Sequence, residues 1–550
     1  MASCLSQIVT TDSSLMGTDF LPSFKLASGG SSSSSSEDEE RQGITPDDEL
    51  YLLAYEALSN GITLDPKTGS ELQAATLQAF GTLIAPIIYP LQSILQDSRS
   101  TSGSFWSSSE VKLRVHRCLV ILRTLVSSVE EASVATRAMV YQGLKISLPF
   151  VQEYFDIYIE DHDISMDILL LFKALVKSLY RQIGSSFCLE VARGLMERLS
   201  NPSLLETALS AGRHNGGQEQ VYHKALHQPS LVLQQRKVIQ RIQMSVSILK
   251  AVLELPFKEI TQSLGGFMLF LFSQLGPKLL GAQNQREVWA MNSMNTQEGE
   301  HHQLRQGKGL ENGAYDLMGL FFSTIKTLLT HHCKFFFAST SAATSVSSLA
   351  TNGVGNGGAG DEGDNNRRQM LQNCMEYLAR GLHRSEPDMV RQSIEILISL
   401  QEHSLCRLFD RLEFQTLYRF EFLQILLRLA LGREQDLLLE DIAGLIHRMV
   451  KGTCPAANEQ DERFLSVWHG DLKRFVAGLE PSQVILATTT RSLSSSPSSQ
   501  VSSIPAQLRF PDSAKETLWM DLLHLGDGSM YREGLYQFVN DAQVYAQSLF

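Results

Sequence analysis

Between residues 462 and 479, Phe464, Leu465, Trp468, Leu472, Phe475, Val476 and Leu479 recur at spacings of three and four. That spacing puts them on one stripe of an α-helix. The same period runs through Val390, Ile394, Leu397 and Ile398, and through Leu535, Phe538, Val539, Ala542, Tyr545, Ala546 and Leu549. Convincing two-residue alternation with hairpin turns is absent, so β architectures drop out at the start. The period predicts helices at roughly 110–128, 131–158, 163–182, 185–200, 231–254, 257–275, 311–333, 367–383, 387–403, 410–431, 434–451, 462–479, 513–525 and 531–548.

Successive helix starts fall about 20 to 25 residues apart once insertions are removed, so two helices make a unit near the ~40 to 47 residues of HEAT or armadillo repeats. Pro149, Pro202, Pro229, Pro256, Pro277 and Pro387 mostly sit at proposed helix ends, where a missing amide does least harm. The expected fold is an all-α, HEAT/ARM-like α-solenoid, a superhelix of antiparallel helix pairs with disordered insertions. An irregular helical bundle is the alternative, because the period lacks a strict consensus.

A chain of 550 residues exceeds what one compact core usually serves. Residues 1–48, with a serine run and the acidic block Glu37–Glu40, offer few large apolar groups to offset the entropy of ordering and read as a disordered tail. A solubilising role suits that block; phosphorylation of the six serines before it is the sharper alternative. HEAT-like repeats are expected over 49–484, with insertions near 98–109, 210–229, 281–310 and 341–366. A Ser-rich linker over 485–511 and C-terminal capping helices over 512–550 follow.

Net charge is -12 and no long basic run occurs, Arg367 and Arg368 forming only a short pair, which does not suit a nucleic-acid binder. Seven cysteines, Cys4, Cys118, Cys188, Cys333, Cys374, Cys406 and Cys454, are odd in number and show no CxxC spacing. Free, mostly buried thiols in a reducing compartment are expected. The N-terminus lacks a basic start and apolar core, so no secretion signal is expected. The run GGFMLFLFSQLG is too short for a bilayer, and no membrane span is expected.

The stretch LLTHHCKFFFAST, residues 328–340, raises the question of a metal site. Leu317, Phe321, Thr324, Leu328, His331 and Phe335 share one helical seam, widened by Leu320 and Ile325, which places His331 at the edge of a buried stripe. Consecutive helical residues point about 100° apart, so His331, His332 and Cys333 diverge; His332 would need distant ligands, and none are visible. Phe335, Phe336 and Phe337 read as a helix end packing into the core. His301 and His302 lie in a Gly- and Gln-rich insertion. No GxSxG, HExxH or GxxxxGK[ST] pattern occurs. The expectation is therefore no catalytic residue, no metal ligand, no cofactor and no enzyme, with partner-binding residues unassigned.

In DLMGLFFSTIKTLLTHHCKFFFAST the order is an apolar helix, a histidine pair, then aromatics, a small residue, Ser and Thr. The block from Met370 to Val450 follows, with its Phe and Leu positions from Phe414 to Leu431 and the helix DLLLEDIAGLIHRM, and then MYREGLYQFVNDAQVYAQ. Together these resemble the C-terminal half of the exportin-6 family, nuclear export receptors of the importin-β (karyopherin) superfamily. The resemblance implies a receptor that shuttles between nucleus and cytoplasm and carries protein cargo, actin–profilin in that family, out of the nucleus in a Ran-GTP-dependent cycle. It also implies nucleoporin contacts, and neither nucleic acid nor membrane as partner. Family members are about twice this length and place their main Ran surface in N-terminal repeats, which residues 1–109 look too short and polar to supply. A partial gene model, a truncated paralogue and a half receptor all remain open, as does a HEAT-repeat scaffold unrelated to transport.

Overall fold

The computed structural model describes residues 70–98, 105–201, 229–281, 304–337, 359–383, 387–431, 436–452, 462–479, 510–523 and 531–548. The expected tail over 1–48 and nearly all of the linker over 485–511 lie outside them. Every regular element among the described residues is helical. The chain divides into two units, Met1–Gln262 and Ser263–Phe550.

The first unit begins with α1, Ser70–Ser98, a helix absent from the periodicity-based expectation and carrying Pro86 and Pro90 inside it. Its Phe80, Ile84, Ile87 and Leu91 are buried, and that burial outweighs the proline penalty. Next come α2, Ser109–Ser128, α3, Val134–Leu144, and α4, Leu148–Ile157. A single helix was expected over 131–158; Pro149 in the first turn of α4 and the Ser147 hydroxyl, which donates to the Leu144 carbonyl at 2.7 Å, divide it. Just before α2, Trp106 stands edge-on to Tyr154 and Tyr158, with ring centroids 6.1 and 5.7 Å away.

Helix α5 runs from His162 to Leu199 and is broken at Gly184, whose φ of 79° and ψ of 171° lie outside any helix. This is the point where the sequence separates 163–182 from 185–200. Helices α6, Pro229–Leu253, and α7, Lys258–Gln262, complete the described part of the unit. Helices α2, α5 and α6 lie side by side and point the same way. Lys112 meets Asp161 and His116 meets Asp167 in the same order along both helices, while Asp163 approaches Lys237 and, further on, Tyr180 meets Phe257. Parallel neighbours separated by return helices are what stacked repeats produce.

The second unit starts with α8, Leu264–Leu269, which runs into a π-helical stretch, Phe270–Leu275, and on through residues 276–281. By length and composition Leu264–Gly281 could cross a membrane, but Phe267, Phe272 and Leu275 are packed inside the unit. Then follow α9, Leu304–His331, α10, Cys333–Phe337, α11, Ala359–Leu382, and α12, Pro387–Glu402. After a second π-helical turn, Phe414–Tyr418, come α13, Arg419–Leu431, α14, Leu439–Gly452, α15, Glu462–Ala477, α16, Asp512–Leu523, and α17, Tyr531–Ser548.

Stacking recurs here. Gly265 lies against Met370 and Phe272 against Tyr377, so the 264–281 segment and α11 run parallel. Cys374 of α11 lies in electrostatic range of Tyr418, and His383 of Arg428 on α13. Those offsets of 44 and 45 residues match the HEAT and armadillo period of ~40 to 47. The core of the unit holds Leu317, Phe321, Phe322, Thr324, Ile325 and Leu328 from α9, with Trp468, Leu472, Phe475 and Val476 from α15.

Candidate interaction surface

At the N-terminal ends of α2, α5 and α6 charged groups alternate in sign. Lys112 pairs with Asp161 at 2.7 Å, and Asp161 also caps α5 by accepting from the Ile164 amide at 3.3 Å. Burial alone would raise the Asp161 carboxyl, but hydrogen bonds from Lys112 and the Ile164 amide outweigh it and hold the group below its usual range. His116 Nδ1 is hydrogen-bonded to the buried Asp167 carboxylate. That bond raises the imidazole above its ordinary value; burial opposes it, Asp163 adds to it and Arg123 subtracts. Across the next seam Lys237 approaches Asp163 at 3.8 Å, and Arg241 donates to the Ile159 carbonyl at 2.5 Å. Burial lowers His162, and the opposing pull of Asp163 does not restore it.

In the second unit the Arg419 guanidinium donates from Nε and Nη2 to Asp471 Oδ2, at 3.0 and 2.7 Å, tying α13 to α15. Arg474 lies over the Phe420 ring at 4.5 Å. Arg448–Glu402 and Arg532–Glu440 are more exposed ties, worth ~0 to 1 kcal/mol each.

The turn between α12 and α13 is heavily braced. Gln401 donates to Asp410 at 2.9 Å and accepts from the Phe409 amide at 2.7 Å. Gln415 donates to the Phe409 carbonyl at 3.1 Å. Arg411 donates to the Cys406 and Leu405 carbonyls at 2.8 and 2.6 Å while lying 5.1 Å from the Phe337 ring centroid. Arg407 takes a left-handed φ of 41° at the tightest point. Leu405, Leu412 and Leu417, from 51% to 64% exposed, project from this frame. A rigid turn that leaves three leucines in water has the character of a docking surface. Periodicity could not find it, because the turn combines 3₁₀, bend and π geometry.

The histidine pair of the 328–340 stretch is placed differently from the expectation that His331 edges a buried stripe. His331 is exposed, while His332 and Cys333 are buried. Helix α9 stops at His331 and the Phe335 amide bonds back to the His332 carbonyl at 2.9 Å, starting α10 in a new phase. That shift turns Phe336 and Phe337 inward. Among the described residues no three His, Cys, Asp or Glu side chains gather as metal ligands. Burial pushes the Cys118, Cys188 and Cys406 thiols up to about 12 and raises Cys374 and Cys333 as well. Such thiols stay protonated and make poor nucleophiles.

Residues 329–548, from the end of α9 through α17 and including the braced turn, match the family model described as exportin-6, C-terminal TPR repeats. The chain resembles the C-terminal part of exportin-6. Exportin-6 of Homo sapiens is 20% identical over 340 residues, 62% of this chain and 24% of that protein. Exportin-6 of Mus musculus is 20% identical over 405 residues, and exportin-6-B of Xenopus laevis 21% over 410, each covering 73% of this chain and 30% of the relative. The chain thus spans 24% to 30% of the length of these exportin-6 proteins. No solved structure matches it. The matched family is described in terms of TPR repeats, whose unit is ~34 residues; the 44- and 45-residue offsets between α11 and α13 are longer and closer to HEAT spacing.

Proposed function

We propose that the chain is an exportin-like nuclear transport receptor that carries protein cargo out of the nucleus in a Ran-GTP-dependent cycle, making and breaking no covalent bond. Actin–profilin is the cargo this reading favours, Ran-GTP and nucleoporins are the further partners, and shuttling between nucleus and cytoplasm follows from the cycle. The observation that carries the reading is the exportin-6 repeat match over residues 329–548, which coincides with stacked helices. The braced 405–417 turn inside the matched region is the proposed cargo-facing surface.

In mechanism, Ran-GTP and cargo would each tighten the other by one common factor, since coupling between two binding sites is reciprocal. Stacked repeats suit such coupling, because each packs only against its neighbours.

Recovery of nuclear proteins on the immobilised full chain, with and without GTP-locked Ran, tests the reading. Actin–profilin retained only with Ran-GTP supports it, and weaker retention by Leu412→Asp/Leu417→Asp at an unchanged melting temperature supports the surface. Partners indifferent to Ran nucleotide state would instead favour a HEAT-repeat scaffold outside transport.

A further inference from the structure

The seam between α5 and α6 changes character along its length. Near its start the charges are matched, Asp163 with Lys237 at 3.8 Å. Farther along, Lys173 lies half-buried with Lys177 one turn away on its own helix and Lys250 facing it from α6. Among the described residues, Lys177 and Lys250 are the charges that act on Lys173, and no carboxylate joins them. The nearby acid, Glu254, sits 3.7 Å from Lys250 and is one helical turn beyond it. Arg181 and the exposed Lys258 extend the basic strip toward the Tyr180–Phe257 ring pair, whose centroids are 6.1 Å apart. Burial, then the Lys177 and Lys250 charges, lower Lys173 below the usual lysine range. A half-buried ammonium group facing two like charges is destabilising unless an anion covers it.

The chain supplies one. Glu37, Asp38, Glu39, Glu40, Asp47, Asp48 and Glu49 fall within thirteen residues broken by the single cation Arg41. Residues 50–69 join that segment to α1, and twenty residues can span up to about 70 Å. Tethering raises the local concentration of the acidic segment to the millimolar range.

We propose that the strip formed by Lys173, Lys177 and Lys250 on α5 and α6 is a docking surface for the chain's own acidic segment, residues 37–49. The segment neutralises the lysines and occupies a surface an acidic partner would otherwise reach. Phosphate on the serines at 31–36 would add negative charge next to the docked stretch and tighten it. The proposal is independent of the transport reading.

The test uses a fluorescent peptide of residues 35–51 and three proteins: the full chain, a variant lacking residues 31–49, and that deletion with Lys173→Glu/Lys177→Glu. The expected result is anisotropy-detected binding to the deletion variant that weakens steeply with salt, about tenfold weaker binding to the full chain, whose own segment competes, and loss of binding to the charge-reversed variant. Far-ultraviolet circular dichroism checks the fold of each protein, and Lys177→Glu alone, at an exposed position, serves if the double reversal unfolds. Equal binding to full chain and deletion variant would overturn the proposal. So would binding indifferent to the lysine substitutions, or an unrelated acidic peptide of equal charge binding as tightly, which would make the strip a general anion surface open to outside partners.

Discussion

The Tyr377 hydroxyl donates to the Phe272 carbonyl at 3.2 Å, across a sequence separation of 105 residues. The Gly276 amide already bonds to Leu271 in the π-helical register, and the next residue in that register is Pro277, which has no N–H. The Phe272 carbonyl is thereby left for a side chain to satisfy. Gly276 permits the approach, since a Cβ there would lie 2.6 Å from the Tyr377 oxygen. Tyr377→Phe should cost about 1–3 kcal/mol by leaving a buried acceptor unmatched, and Gly276→Ala about 1–3 kcal/mol by overpacking. Urea unfolding measures both; an unchanged midpoint for Tyr377→Phe would show that the hydroxyl contributes nothing.

Gly184 is the opposite kind of glycine. Nothing lies within 4 Å of a Cβ placed there, so only the backbone, at φ 79° and ψ 171°, opposes substitution. Gly184→Ala is expected to lose about 1–3 kcal/mol, and Gly184→Asn to lose as much, because this region is closed to asparagine too. A thermal melt of Gly184→Asn matching the parent would contradict this.

These two glycines mark the limits of what the sequence discloses. The break at Gly184 was legible as the gap between the helices expected over 163–182 and 185–200. The π-turn at Phe270–Leu275 was not: its extra residue is absorbed by Tyr377 from another helix, a partner no local window contains. Helix α1 was missed because Pro86 and Pro90 argue locally against it, while the burial of Phe80 and Leu91 that overrides them is tertiary. The braced turn depends on Gln401, Arg411 and Gln415 finding carbonyls and amides five to eight residues away, which ordinary polar residues do not announce.

His116 supplies a pH dependence with a definite sign. Its folded pKa is raised, chiefly by the Asp167 hydrogen bond, so its stabilisation is fully present below the unfolded value near 6.5 and is lost as pH rises through the folded value. The melting-temperature gap between the parent chain and His116→Gln should therefore be widest near pH 6 and shrink toward pH 8.5. Taking the difference removes the opposite contribution of His162, whose lowered pKa favours the folded state as pH rises. A gap that widens with pH would reverse the assignment.

Helix α17 packs Leu535, Phe538, Val539 and Ala542 inward, with the Phe538 ring 6.4 Å from Phe475 of α15. Phe538→Ala should lose about 3–5 kcal/mol, and Phe538→Asp more, because a charge then enters an apolar seam. Limited proteolysis should cut the C-terminal region of the Asp variant first. Parental protease resistance and melting curve, with partner binding abolished, would make α17 a recognition arm instead.

Cys118 on α2, Cys188 on α5, Cys333 on α10, Cys374 on α11 and Cys406 beyond α12 are all buried and unbridged. A thiol reagent can reach each only when the surrounding helices part, and the raised pKa values keep the sulfur unreactive until then. Each unit therefore carries its own stopwatches at fixed stations among its helices. Mass spectrometry of modified peptides over time would rank the stations by how often each opens, with no probe added to the chain.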